Sequence, residues 1–306
     1  MRDLERMSRC PACGGDRLRP FRKGCFDPGS LDASRVKITD SGYGEVWDLS
    51  VCLNCGHLFA DPCPRPEFLF SLYRDVVDPV YDQEAEGRSR NFLGILRRVE
   101  RLRPARGRLF DVGAATGILL DLARRRGWKV DGIEPSAWAA RWAADRYGIL
   151  LRRGAFEDAA LSAESFDAVT MVDFIEHTPV PRAALSQASR ILVPGGILAL
   201  VTPDIHSLAA RLAGRRWWHL RPGHLAYFGR RSLDALLIAH GFRVVLRRRY
   251  AWTFSARYLV SRFGALEGLA RRASFLGRIP IKLALGDSFE IYAVKVRTSR
   301  MKGQSV

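Results

Sequence analysis

The sequence predicts an α/β protein in which a mostly parallel sheet carries helices on both faces and follows a small cysteine-rich module. Three observations carry this. From Arg108 onward, short apolar runs alternate with helical stretches, the pattern of strands joined by helical crossovers. The run "LFDVGAATGILLDLA", residues 109–123, reads as a strand, a turn of small residues and the opening of a helix. All six cysteines, Cys10, Cys13, Cys25, Cys52, Cys55 and Cys63, lie in the first quarter of the 306 residues, four of them in CxxC pairs.

Residues 1–68 are the first unit. Cys10-Pro-Ala-Cys13-Gly and Cys52-Leu-Asn-Cys55-Gly repeat one knuckle, in which CxxC brings two thiolates to one ion and the following glycine permits the turn. Two knuckles give four sulfur ligands, the closed tetrahedral shell of a structural zinc site in a zinc-ribbon-like module. A redox CxxC is the chief competitor. The 38 intervening residues exceed the usual ribbon spacing, but "RVKITDSGYGEVWDLSVC" reads as two strands joined around Gly42 and Gly44 that return the chain. Cys25 and Cys63 read as bystanders, and His57 as a weak substitute ligand. "ADPCPRPEF", with three prolines, marks a boundary. Residues 69–104 form a helical linker or cap, broken near "DQEAEG".

Residues 105–306 are the α/β unit. "RLFDVG" is a strand and 118–126 a helix; "KVDGIE" is a strand and 137–147 a helix. A short strand follows near 149–152. "FDAVTMVDF" is a strand, 182–192 a helix and "GGILALVTP" a strand. An irregular segment, 204–229, precedes a helix at 232–240 and the strands "GFRVVLRRRY" and "DSFEIYAVKVRT". Between those strands lies an insertion, 251–286, in which Leu259, Phe263, Leu266 and Ala270 make one helical stripe.

The turn "DVGAATG" selects its ligand by elimination. It lacks the lysine of a phosphate-cradling loop. Ile118 stands where a dinucleotide fingerprint has its third glycine. Gly113 and Gly117 permit close backbone approach. Asp111, at the strand end, would repel a pyrophosphate and suits an ammonium or sulfonium group. In "VDGIEPS", Glu134 ends the next strand, where a carboxylate can accept both ribose hydroxyls. Asp173 and Glu176-His177 end another, and ligands of open α/β sheets bind outside those carboxyl ends.

These residues resemble the class I S-adenosylmethionine-dependent methyltransferases. The resemblance runs from about Arg108 to Val201, through "DVGAATG", "GIEPS" and "SFDAVTMVDFIEHTPVPRAALSQASRILVPGGILALVTPD", with weaker echoes in "HLAYFGRRSLDALLIAHGF" and "FEIYAVK". It is strongest with small-molecule enzymes that carry an N-terminal zinc-binding segment. It implies a seven-stranded Rossmann-like sheet whose last strand is antiparallel, beside the sixth. It implies that Asp111, Gly113 and Gly117 line the methionine side of the cofactor, that Glu134 binds its ribose, that Phe156 and Glu157 flank the adenine, and that Asp173 lies near the methionine end. Ala115, in the place of the family's middle glycine, belongs to the same set; Ala155 stands where an acidic adenine contact is common.

Methyl transfer from a sulfonium is an in-line displacement for which the protein mainly supplies alignment. A hydroxyl or amine acceptor must also lose a proton, and His177 and His224 are the candidate bases. In "RRWWHLRPGHLAYFGRR", Trp217, Trp218, Tyr227 and Phe228 are expected to wall an acceptor, and Arg215, Arg216 and Arg221 to bind an anionic one. Segments 204–229 and 251–286 are the expected acceptor lid, the latter also suited to peripheral contact with a membrane that holds a lipid-linked acceptor. O-methylation of a small molecule or of a glycan- or lipid-linked intermediate is the expected reaction.

The net charge of +17 keeps two rivals open. One is an RNA methyltransferase, not favoured because no recognised RNA-binding fold adjoins the core. The other is a non-catalytic cofactor-binding scaffold. No run of eighteen apolar residues occurs, and the start lacks a signal peptide's apolar core, so no transmembrane segment and a cytoplasmic location are expected.

Overall fold

The computed structural model describes residues 3–262 and 274–296. Phe263, Leu266 and Ala270 of the expected stripe lie outside the described residues.

The N-terminal unit is built from β1 (Leu4–Glu5), β2 (Leu18–Arg22), the helical turn α1 (Ala33–Val36), β3 (Leu49–Cys52), β4 (Leu58–Ala60) and β5 (Cys63–Pro64). The expected hairpin around Gly42 and Gly44 does not form. Asp32 instead caps α1, its side chain accepting from the Ser34 amide at 2.8 Å, and residues 37–48 run irregularly. The hairpin is one step later: β3 and β4 pair across the second cysteine knuckle, and β2 pairs with β3. Three helices follow, α2 (Pro66–Arg74), α3 (Pro79–Gln83) and α4 (Ala85–Leu102). Prolines stand at the start of α2 and α3, where the missing N–H is not needed.

The α/β unit runs β6 (Arg108–Val112), α5 (Ile118–Arg125), β7 (Lys129–Ile133), α6 (Ala137–Tyr147), β8 (Phe166–Val172), α7 (Pro181–Ile191) and β9 (Leu192–Pro203). It continues through α8 (Leu208–Ala213), β10 (Ala226–Tyr227), α9 (Arg230–Ala239), β11 (Phe242–Arg249), β12 (Trp252–Ser255), α10 (Ala256–Ser261), β13 (Pro280–Leu283) and β14 (Ser288–Lys295). The main sheet has the order β11-β14-β9-β8-β6-β7, with β7, β6, β8 and β9 parallel and β14 antiparallel between β9 and β11. The expected strand at 149–152 is reduced to a single parallel bridge, Arg152 beside Ile133. The chain turns away at Gly154 (φ +143), which carries residues 154–158 to the mouth of the sheet. Six strands and one bridge thus occupy the seven positions.

Two cores line the faces of this sheet, one with α7 and α9 and the other with α4 and α5. A third, around Val36, Trp47, Leu49, Trp217, Leu220 and Tyr227, joins the N-terminal unit to segment 204–229. There β10 pairs with β4 and extends the N-terminal sheet to β10-β4-β3-β2. Buried His57 is packed between Phe59 and Phe228, with ring centroids 5.7 and 4.6 Å away. Among the described residues no helix is long and apolar enough to cross a membrane.

Candidate active site

The carboxyl ends of β6, β7 and β8 open onto a cavity of about 360 Å³. Gly113, Ala115, Glu134, Phe156, Glu157 and Asp173 all line it, brought together from three strand ends and the loop after Gly154. Glu134 is buried, and both its oxygens are held by amides: Ala115 N–H donates to Oε2 and Ser136 N–H to Oε1, each at 2.8 Å. Burial raises its pKa, and the two amides work against that rise.

Two non-glycine residues of the lining are left-handed, Ala115 at φ +46 and Asp173 at φ +50. Such backbone costs about 1–3 kcal/mol and persists where its surroundings fix it. The Glu134 carboxylate fixes Ala115, and a bond from Asp173 N–H to the Val201 carbonyl at 3.0 Å fixes Asp173. Gly117 (φ +79) has a different role from the one its position implied. It does not line the cavity; it caps α5 and lets α6 approach, since a Cβ there would sit 3.0 Å from the Ala143 methyl group.

Asp111 lies one layer deeper. It is buried, accepts from Thr170 Oγ1 at 2.5 Å, and borders a smaller cavity of about 30 Å³ shared with Gly113, Tyr81, Arg88, Asp173 and Trp252. Burial pushes its carboxyl up to about 7, with the Thr170 hydroxyl opposing the rise. Asp173 is likewise pushed up to about 7 by burial, while Arg88 and Arg221 pull it down. Arg88 was not singled out in the sequence. It is buried, its Nε donates to the Tyr81 carbonyl at 3.2 Å, its guanidinium lies 3.6 Å over the Tyr81 ring, and it has no salt bridge among the described residues. Arg88 and Asp111, one cation and one carboxylate on the smaller cavity, offer matching charge to a zwitterionic amino-acid group.

At the adenine end assigned by the resemblance, Phe156 is buried against Phe110 and edge-on to Phe174, with centroids 5.8 and 6.3 Å apart. The Glu157 carboxylate accepts from Thr178 Oγ1 at 2.8 Å.

The opposite wall is apolar and comes from the N-terminal half: Val36 and Ile38, with Leu69, Phe70 and Tyr73 of α2. There Tyr73 Oη lies 2.9 Å from His177 Nδ1, which also lies 2.7 Å from the Gly223 carbonyl. A carbonyl only accepts, so Nδ1 carries the proton and Nε2 keeps its lone pair. Burial, helped by the Arg221 charge, lowers the His177 pKa to about 3, so the ring is neutral at neutral pH. His224 does not line the cavity. It is buried edge-on to His177, with centroids 4.6 Å apart, and its Nδ1 has no partner among the described residues. Glu176 Oε2 accepts from Thr202 Oγ1 at 3.0 Å, and its Oε1 is unpaired among the described residues. One ligand atom each from Glu176, His177 and His224 lies within 4.8 Å of the others. Burial raises the Glu176 pKa well above the ordinary carboxylate range and lowers that of His224, so this cluster favours the neutral forms.

The described residues of the expected acceptor lid lie away from the larger cavity. No residue of 204–229, and none described from 251–286, lines the larger cavity; Trp252 reaches the smaller one. Trp217, Tyr227 and Phe228 are buried in the cores, because β10 joins the N-terminal sheet and its aromatic neighbours complete the shared packing. Arg221 is spent on backbone carbonyls of Lys37 and Ile38 rather than on an anionic ligand.

The cysteine knuckles converge. Cys10 Sγ lies 3.7 Å from Cys55 Sγ and Cys13 Sγ 3.6 Å from Cys52 Sγ, and all four sulfurs fall within 4.8 Å of one another. A disulfide needs about 2.05 Å. Four thiolates about 2.3 Å from a tetrahedral ion stand about 3.8 Å apart, so this donor set fits a metal. The knuckles share one bond pattern, Gly14 N–H to the Cys10 carbonyl and Gly56 N–H to the Cys52 carbonyl, each at 2.8 Å. His57, Cys25 and Cys63 stand outside the cluster.

Comparison with known proteins agrees with this geometry. The chain is similar to the ubiquinone biosynthesis O-methyltransferase of Xanthomonas axonopodis pv. citri, with 38% identity over 119 residues, 37% of this chain and 50% of the relative. That of Paracidovorax citrulli is 32% identical over 143 residues, 44% of this chain and 60% of the relative. The chain spans about half the length of the curated relatives it matches. Its fold is similar to that of a SAM-dependent methyltransferase from Archaeoglobus fulgidus, with a TM-score of 0.51 and 18% identity over 71% of this chain and all of the other. The family model described as a methyltransferase domain matches residues 85–247, just over half the chain. This match contains the strands whose carboxyl ends open onto the cavity, and the chain belongs to the class I S-adenosylmethionine-dependent methyltransferases.

Proposed function

We propose that this chain moves a methyl group from S-adenosylmethionine to a hydroxyl of a small, largely apolar molecule, and that its four N-terminal thiolates hold a structural zinc ion. One observation carries the first part: a single cavity has a polar floor suited to the donor and an apolar roof of Val36, Ile38, Leu69 and Phe70. The names of the relatives favour a hydroxyl acceptor. Among the described residues Lys37 is the only lysine or arginine that lines the cavity, which disfavours a polyanion such as RNA in spite of the net charge. The sulfur separations favour zinc.

The donor supplies a methyl group already activated on a sulfonium and open to in-line displacement. Glu134 has lone pairs left after its two amide bonds and would accept the ribose hydroxyls. Asp111 and Arg88, which both border the smaller cavity, would hold the amino-acid end. The remaining chemical task is the acceptor proton. His177, depressed to about 3, holds a proton poorly. Asp173, raised to about 7 on the cavity wall, accepts one near neutral pH. We therefore assign the proton to Asp173 and the orientation of the acceptor to His177 Nε2.

The test incubates the full chain with methyl-tritiated S-adenosylmethionine and a cell extract, then separates organic-soluble material from RNA. The expected product is a labelled methyl ether of a small molecule. Label confined to the RNA fraction would overturn the reading.

A further inference from the structure

The roof of the cavity includes Lys37 and Ile38, in a segment that belongs to no helix or sheet. Within it Asp40 N–H donates to the Lys37 carbonyl at 3.2 Å, and the remaining carbonyl capacity needs partners from outside. Three in succession find them in two arginines from distant parts of the chain. Arg221 Nη2 donates to the Lys37 carbonyl at 3.1 Å and to the Ile38 carbonyl at 2.8 Å. Arg262 Nη1 donates to the Thr39 carbonyl at 2.9 Å. Neither arginine has a salt bridge among the described residues, and the Nε of each is buried without a partner. Thr39 is held from its other side by Asp78, which accepts from its amide at 3.0 Å and its hydroxyl at 2.5 Å.

The two arginines leave from the two insertions, whose described residues contribute no wall to the larger cavity. Arg221 lies between Leu220, whose carbonyl accepts from Gly44 N–H at 2.7 Å, and Pro222, whose carbonyl accepts from Trp47 Nε1 at 2.8 Å. Arg262 follows α10, with its guanidinium 4.1 Å over the Tyr258 ring. Hydrogen bonds from a charged donor are about twice as strong as neutral ones, and among the described residues neither guanidinium is paired with a carboxylate, although the Arg221 charge acts on Asp173 and Glu176.

We propose that Arg221 and Arg262 are positioning residues, a pair of clasps that hang residues 37–39 over the cavity, so that both insertions act on bound ligands through the roof rather than by touching them. This rests on reading the cavity as the donor and acceptor site.

The test is hydrogen exchange by mass spectrometry on the full chain, with stopped-flow measurement of S-adenosylmethionine dissociation. It compares Arg221→Gln, Arg262→Gln, the double variant and the two lysine variants. Peptides covering residues 36–42 should exchange about tenfold faster in the double variant, the loss expected when hydrogen bonds to charged groups are removed, with β8 and β9 unchanged. Donor dissociation should accelerate by about the same factor. Each lysine variant should recover part of both effects, because an ammonium still reaches one carbonyl. Unchanged exchange at the roof would overturn the proposal, as would protection lost equally through β8 and β9. A loosened roof with unchanged donor dissociation would overturn the positioning role. If the unaltered chain binds no donor, the reading of the cavity fails, and the exchange arm still decides whether the clasps hold the roof.

Discussion

Ala115 and Glu134 are joined by a 2.8 Å hydrogen bond from the alanine amide to the glutamate carboxylate, and the alanine pays for it with a φ of +46. The turn after β6 is thereby locked to the end of β7, and both residues face the cavity. Ala115→Val puts a branched side chain on left-handed backbone beside the donor. It should cost about 1–3 kcal/mol of stability and weaken donor binding by about tenfold or more. Ala115→Gly relieves the strain and should bind the donor at least as well. Thermal melts and titration calorimetry of both variants check this, and wild-type behaviour of the valine variant would contradict it.

Asp111 gives a pH-dependent prediction. Its folded-state carboxyl stands at about 7, above the ordinary value, because it is buried. Its contribution to stability is fully present below the ordinary carboxyl range and is lost as pH rises toward 7. Asp111→Asn removes the buried charge, so the ligand-free variant should melt higher than the unaltered chain at pH 8 and close to it at pH 4. The gain at pH 8 should be on the order of 4 kcal/mol at most. Donor affinity should fall, since the ammonium loses a carboxylate. A variant that melts lower at pH 8 would refute the burial argument.

The cysteine site predicts a metal and its consequence. The full chain should carry one zinc ion, and Cys13→Ser should lose it. The N-terminal core is shared with Trp217, Leu220 and Tyr227, so the melt of the whole chain should shift. Structural zinc contributes several kcal/mol to such a module, on the order of 10 in isolated fingers. Elemental analysis beside a thermal melt reads both, and full zinc content in the variant would contradict the four-thiolate site.

Asp173 and His177 divide the acceptor chemistry, and the division can be measured. Turnover should rise with pH to a plateau above about 7, as Asp173 becomes ionised. Asp173→Asn should lose about 10²-fold or more, and His177→Asn about tenfold, the scale of lost orientation. Full turnover in the histidine variant would remove His177 from the site. A large loss there with Asp173→Asn nearly unaffected would reverse the two roles.

Much of this was legible because its chemistry is local. CxxC-Gly twice over states a metal knuckle within five residues, and the strand ends at Asp111, Glu134 and Asp173 follow from alternating apolar runs. What was missed depends on contacts between distant residues. Arg221 and Arg262 reach the roof across about 180 and 220 residues, and no spacing rule announces such a bond. Arg88 left a weak trace: it falls on the same face of α4 as Phe92, Ile95, Leu96 and Val99, an arginine where the stripe asks for an apolar residue. The misplaced hairpin had a signal too, since Asp32 before "ASRV" is a helix cap. Trp217, Tyr227 and Phe228 pack in the cores and not on the cavity, because aromatic residues complete a core as readily as they wall a pocket.

The most direct test of the central claim is titration calorimetry of S-adenosylmethionine into the full chain and into Glu134→Ala. The account predicts one donor bound per chain, with no measurable binding once the carboxylate that spans the ribose position and the Ala115 turn is removed. Donor binding of unchanged affinity in the variant, or none in the unaltered chain, would contradict it.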